Sequence, residues 1–227
     1  MSETFVREVD ENLRRDRLRD FVRDKAGLLI AGLVLFLAIC GGLIYWHQYR
    51  GQHVEGEVEQ LAQVNVRLDA GDTKGAAQQL GDLSNSNSDA VRGAAQFGLA
   101  SIALRQGDSK QALAKYRDIA ADTGLPDSFR NLALIRQTAL EFDSMQPQAV
   151  IARLQPLATP SSPWFGSAGE MTAIALAKLG KTDQAGRLFA QLARDKDVPD
   201  GIRARSIQMA STFGVDASDA MPTAPAQ

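Results

Sequence analysis

"RQGDSKQALAKYRDIAADTGLPD" (residues 105–127) and "KLGKTDQAGRLFAQLARDKDVPD" (178–200) superpose at a shift of 73 without a gap. Gly107 meets Gly180, Ala112 meets Ala185, Tyr116 meets Phe189, and Pro126-Asp127 meets Pro199-Asp200. Each matched position has a physical use. The glycine before a polar pair ends one helix and turns the chain. An alanine five residues later suits the point where two helices of a hairpin approach closely, since a larger side chain would wedge them apart. The aromatic four residues further on fills the space against the next unit. Pro-Asp then opens the following hairpin, proline being tolerated at a helix's first turn.

Two weaker copies fill the gaps. "AGDTKGAAQQL" (70–80) supplies Gly71 and Ala76, and "FDSMQPQAVIARL" (142–154) supplies Ala149. In the latter, Asp143 or Ser144 replaces the turn glycine; Leu80 and Arg153 stand where an aromatic would. The series Ala76, Ala112, Ala149, Ala185 advances in steps of 36, 37 and 36. A period near 36 marks stacked helical hairpins. "FGLASIALRQG" (97–107) and "MTAIALAKLG" (171–180) carry helical periodicity, and no stretch alternates like a strand. The expected hairpins are 53–83, 89–122, 127–158 and 164–196, closed by a capping helix at 200–213. Solenoids need such a cap, because the last hairpin otherwise leaves an apolar face in water. The small, polar stretch 214–227 reads as a disordered tail.

Upstream, Ala26 to Trp46 is a run of 21 uncharged residues. As a helix it spans roughly 32 Å, against a hydrocarbon core of about 30 Å. A cleavable signal has a shorter apolar region and a small-residue site behind it, whereas this run ends in Tyr45-Trp46-His47-Gln48-Tyr49-Arg50, with aromatic rings suited to the headgroup layer. Leu37-Ala38-Ile39-Cys40 is a poor lipoprotein site, since Ile39 stands where a small residue belongs. The run is therefore expected to be a retained anchor. Arg14, Arg15, Arg17, Arg19, Arg23 and Lys25 precede it closely and only Arg50 comes closely after it, which orients the N-terminus to the cytoplasm. Residues 1–25 form a charged cytoplasmic helix, 47–52 a juxtamembrane linker, and 53–213 a translocated repeat domain. Gly27, Ala31, Ala38 and Gly42 line one face of the anchor, a pattern that lets another membrane helix approach.

A turn glycine, an alanine five later and an aromatic nine later resemble the tetratricopeptide repeat. With the charged helix, the anchor and the four degenerate hairpins, the whole resembles the YfgM-like family, in particular the alphaproteobacterial type. The stretch "FVREVDENLRRDRLRDF" (5–21) and Trp164, 16 residues before Gly180, add to that likeness. The resemblance implies an all-α fold: a single N-terminal transmembrane helix, then a tetratricopeptide-like α-solenoid of about four hairpins plus a capping helix. It implies a bacterial inner-membrane protein whose repeats face the periplasm as an ancillary subunit of the Sec translocon. Its partners would be translocon subunits, a periplasmic chaperone or isomerase-like protein, emerging polypeptides, and membrane lipid around the anchor.

Chemistry other than binding finds little footing. The chain carries no nucleophile elbow, phosphate loop, HExxH or C-x-x-C motif, so neither an enzyme nor a small-molecule substrate is expected. One cysteine and two histidines build no metal site and imply no cofactor, and a net charge of −2 gives no field for nucleic acid. Candidate groove residues are Arg92, Gln96, Arg130, Asn131 and Arg136, each of which an ordinary solvated side chain would explain as well. Trp164 is a candidate anchor for a partner, or else a helix-start side chain packed on the preceding repeat. Two other uses fit the same architecture: a scaffold for envelope assembly or cell division, and a regulator acting through the cytoplasmic helix.

Overall fold

The computed structural model describes residues 54–220, together with Phe36 and Cys40. The charged segment 1–25, the linker 47–52, and all but those two residues of 26–46, including Gly27, Ala31, Ala38 and Gly42, lie outside the described residues. Among the described residues, no helix is long and apolar enough to cross a membrane.

Every regular element described is helical. Residues 54–69 form α1, followed by α2 (Thr73–Leu83), α3 (Asp89–Arg105), α4 (Ser109–Ala121), α5 (Asp127–Glu141), α6 (Pro147–Leu154), α7 (Phe165–Lys178), α8 (Thr182–Arg194) and α9 (Asp200–Thr212). A 3₁₀ turn, Ser218–Ala220, comes last. Each helix packs chiefly on its neighbours in sequence, and α7 also meets α9. The result is an α-solenoid, in which apolar surface is buried repeat against repeat rather than in one centre.

The hairpin turns are built alike. Gly71, Gly107 and Gly180 take φ of +80°, +77° and +74°. In each, the amide after the glycine reaches back five residues: Asp72 to Arg67 O (2.8 Å), Asp108 to Ala103 O (2.9 Å), Lys181 to Leu176 O (3.0 Å). This closure satisfies the last carbonyls of the first helix and needs left-handed backbone, which a side chain opposes. Asp72 and Asp108 then cap α2 and α4 by accepting from the amides of Gly75 and Gln111, both at 2.9 Å. Pro126 and Pro199 occupy the cap position itself, so α5 and α9 begin one residue later, at the aspartates.

Ala76, Ala112 and Ala185 are wholly buried, as an alanine at a close helix crossing should be. Twelve residues before each lies another buried residue: Val64, Ala100 and Ala173. Tyr116 joins Ala100, Ala112, Ile119, Leu125 and Ala133 in one cluster; Phe189 joins Ala173, Leu192, Ala193 and Ala210 in another.

The third hairpin departs from the expected register. Ala149 is exposed, and Val150, 1% exposed, takes the buried position; Leu154, not Arg153, fills the site four residues on. Pro147 at the first turn of α6 and the longer connection from Glu141 shift the helix by one residue. Val150 is bulkier than the alanine buried at this position in the other hairpins, and the α5 and α6 backbones come less close than those of α3–α4 and α7–α8. The sequence places a disordered tail from residue 214, but residues 214–220 are ordered. Ala217 is buried in the α7–α9 cluster because only a small side chain fits there, and Arg194 forks onto Asp219.

The left-handed turns give a direct test. Gly107→Ala and Gly180→Ala should each lower stability by about 1 kcal/mol, while Gly81→Ala in the last turn of α2, with open space around it, should be neutral or stabilising. Urea unfolding of the three variants beside the parent measures the differences.

Candidate interaction groove

The first helices of the hairpins, α1, α3, α5 and α7, define the surface that matters. Between α1 and α3 opens a pocket of about 350 Å³, lined by Leu61, Val64, Asn65 and Leu68 from α1, Leu80 from α2, and Ala94, Gly98, Ser101, Ile102 and Arg105 from α3. Gly98 lets the Leu80 side chain pack closely against α3: a Cβ there would come within 2.8 Å of it. The lining is mainly aliphatic, with Asn65, Ser101 and Arg105 as its polar groups.

Repeat equivalence carries this surface along the stack. Eight residues before the buried positions Ala76, Ala112, Val150 and Ala185 stand Leu68, Leu104, Phe142 and Ala177. Leu104 is 37% exposed and Leu68, Phe142 and Ala177 are half-buried, so an apolar row recurs once per repeat without being consumed by the core. One residue further on, Asp69, Arg105, Asp143 and Lys178 alternate in sign. Lys178 lies 3.3 Å from Asp143 and 4.6 Å above the Phe142 ring, tying α7 to the end of α5. An apolar row beside a rim whose charges alternate selects on hydrophobic content more than on net charge.

The residues singled out from sequence are scattered in role. Arg92 is a clamp between successive loops: its guanidinium donates to Ser86 O (3.3 Å) and Gly124 O (3.0 Å) and pairs with Asp89 (2.9 Å). Arg130 pairs with Asp127 within α5, and its Nε is buried without a hydrogen-bond partner among the described residues. Gln96 and Asn131 are half-buried, and Oε1 of Gln96 likewise lacks a partner. Arg136 is exposed and occupies the position that Gly98 holds in the preceding repeat. Trp164 is half-buried at the start of α7, packed against a cluster that joins Ile135, Val150 and Leu154 of the preceding repeat to Ala168 of α7. Thus Arg136 shares the pocket-facing register, while Arg92 and Trp164 join one repeat to the next. Leu61, Leu68 and Ser101 went unnoticed in the sequence, although the apolar residue eight before each marker was a readable signal.

Glu141 was also missed. Only 12% exposed, its carboxylate accepts from Arg117 of α4, from Arg153 of α6 at 2.6 Å, and from Gln137 one turn earlier at 3.1 Å. Burial pushes its pKa up, but the hydrogen bonds from Arg153, Arg117 and Gln137 outweigh that and hold the carboxyl below its ordinary range. One carboxylate therefore joins two successive second helices where the α5–α6 crossing is widest. A group with a depressed folded pKa stabilises fully above its unfolded pKa, and the contribution disappears as pH falls through the folded value. Glu141→Gln should cost roughly 1–2 kcal/mol at neutral pH, because both arginines remain partly solvated. The gap between parent and variant should shrink below about pH 4, the ordinary glutamate range. Thermal melts of the pair from pH 3 to 7 measure it.

Among the described residues, no three His, Cys, Asp or Glu side chains gather as a metal set. No curated protein and no solved structure matches the chain. A tetratricopeptide repeat-like domain matches residues 19–209, a span that takes in the apolar run and all four hairpins. Stacks of this type are typically non-enzymatic scaffolds that bind other proteins. With the turns, buried crossings and groove in that order, the chain belongs to the tetratricopeptide repeat-like domain family.

Proposed function

We propose that this chain is a membrane-anchored scaffold of the YfgM-like type, holding a protein partner at the periplasmic exit of the Sec translocon. The observation that carries the binding role is the open aliphatic pocket between α1 and α3, continued by Leu104 and Phe142 along the stack. Such a row suits an apolar stretch of a client or chaperone, with Arg136 on the rim of the third repeat.

Support for the tether comes from the chain itself. The 21 uncharged residues 26–46, preceded closely by six basic side chains and followed closely by one, fit a single anchor with the N-terminus in the cytoplasm. The family match begins at residue 19 and so spans the apolar run, which supports reading the run together with the repeats. The partners proposed are translocon subunits, an anchored chaperone or isomerase-like protein, and emerging polypeptide. A tether confines the groove to the neighbourhood of its clients, so modest affinity in each contact suffices. The small-residue face Gly27, Ala31, Ala38 and Gly42 is the proposed contact to other membrane helices.

The test is a pull-down of the full-length protein from membranes in mild detergent. It runs beside a chain whose residues 26–46 are replaced by an unrelated anchor and a chain carrying Ser101→Trp, which fills the pocket. Translocon subunits or an anchored chaperone should be recovered with the parent. Capture of the chaperone or client should fall about tenfold with Ser101→Trp, the equivalent of 1.4 kcal/mol of lost contact. Translocon recovery should fall with the foreign anchor. Recovery of division or outer-membrane assembly factors alone would replace this reading with an envelope scaffold.

A further inference from the structure

The end of α9 repeats the hairpin turn without the second helix to which such a turn leads elsewhere. Gly214 takes φ +77°, and the Val215 amide reaches back to Ala210 O at 2.9 Å, the same closure that leads into α2, α4 and α8. Instead of a fifth second helix, residues 215–220 return to α8 as a short strap. Val215 lies over Gly186, where a Cβ would come within 2.8 Å of its methyl group. Phe213 stacks on Phe189 with centroids 6.1 Å apart and planes at 12°, and Ala217 is 1% exposed. Arg194 then closes the strap: its guanidinium donates to both carboxylate oxygens of Asp219 (2.8 and 2.9 Å) and to Asp216 O (2.9 Å).

Two properties of this arrangement pull apart. The site on α8 is shaped for one sequence, with a missing Cβ under Val215, a small recess for Ala217 and a fork for Asp219. The strap's closing contact, however, is an ion pair open to solvent on both sides, with side chains 46% and 62% exposed, and such pairs contribute little. The strap also spans few residues and forms no long helix of its own, so it opens more readily than the helices beneath it.

We propose that the α8 site and the strap form an exchangeable contact, by which a second copy of this chain inserts its residues 215–220 in place of the chain's own. The occupant is identified by the site, since the segment that fits it is the strap and a second copy presents the same segment. Reciprocal exchange recreates in trans the contacts that residues 215–220 make with α8. In isolation the chain's own strap wins, because a short tether holds it at an effective concentration of about millimolar. Exchange becomes competitive where copies are crowded or where the cis strap is disabled.

The charge pair at the end of the strap allows exchange to be forced. Full-length Arg194→Glu and full-length Asp219→Arg each place like charges together in cis, and in any pairing with themselves. Mixed, the two variants restore opposite charges at both reciprocal contacts. Light scattering in mild detergent should show each variant alone at its single-chain mass, and the mixture at about twice that mass. The double variant Arg194→Glu/Asp219→Arg should close in cis and stay at single mass. A labelled peptide of residues 213–220 should bind the Asp219→Arg chain and not the Arg194→Glu chain. A chain ending at Gly214 presents the same vacant site and should bind the peptide equally, which covers any folding defect in the substituted chain. A mixture that keeps the single-chain mass, or variants that double alone to the same extent, would overturn the proposal.

Discussion

The distance between two helices in a hairpin is fixed by the side chains at their crossing, and the rest of this solenoid depends on that distance. Where the crossing residues are Ala100 and Ala112, or Ala173 and Ala185, the helices close tightly and bury both positions completely. That closeness sets where Tyr116 and Phe189 reach, and therefore which surface the next hairpin meets. Because most contacts join elements that are neighbours in sequence, stability accumulates repeat by repeat instead of residing in one centre.

The third hairpin shows what happens when the constraint is relaxed. Val150 stands where the other hairpins bury an alanine, the turn lacks a left-handed glycine, and α6 is only eight residues long. Apolar closure is weaker there, and the link between repeats is supplemented by charge: Glu141 gathers Arg117 and Arg153 from the second helices on either side. Lys178 adds a second tie, to Asp143 and the Phe142 ring. The irregular repeat is thus held to its neighbours by directional contacts. These fix the orientation in which the groove continues from α3 to α5 and α7.

The described stack is unlike at its two ends. Between the first two hairpins the surface stays open as an aliphatic pocket. At the far end, α9 and the strap cover the apolar face of α8, with Gly186 leaving room for Val215. Glycine on a helix face serves the same purpose at both ends: Gly98 admits the Leu80 side chain, and Gly186 admits Val215.

Much of the fold could be read directly from the residues. Turn glycines at 71, 107 and 180 and alanines at 76, 112 and 185 are local requirements, since only those residue types meet the backbone conformation or the close approach, so they repeat in the sequence. The register of the third hairpin could not be read this way. Ala149 and Val150 are adjacent and both apolar, and which of them turns inward depends on how Pro147 sets the start of α6. Sorting the arginines by role was equally out of reach. Arg92 and Arg136 look alike in composition, yet one bridges two loops while the other stands on a rim, because their partners are distant in sequence. The strap hid for the same reason: "VDASDA" (215–220) has too little apolar surface to announce order. Its place comes from a recess on α8 and from Arg194, more than twenty residues away. Sequence alone determined the helical repeat and its period, because these rest on local backbone and crossing constraints. Tertiary structure decided which faces stay open, because burial depends on what the rest of the chain brings against each residue.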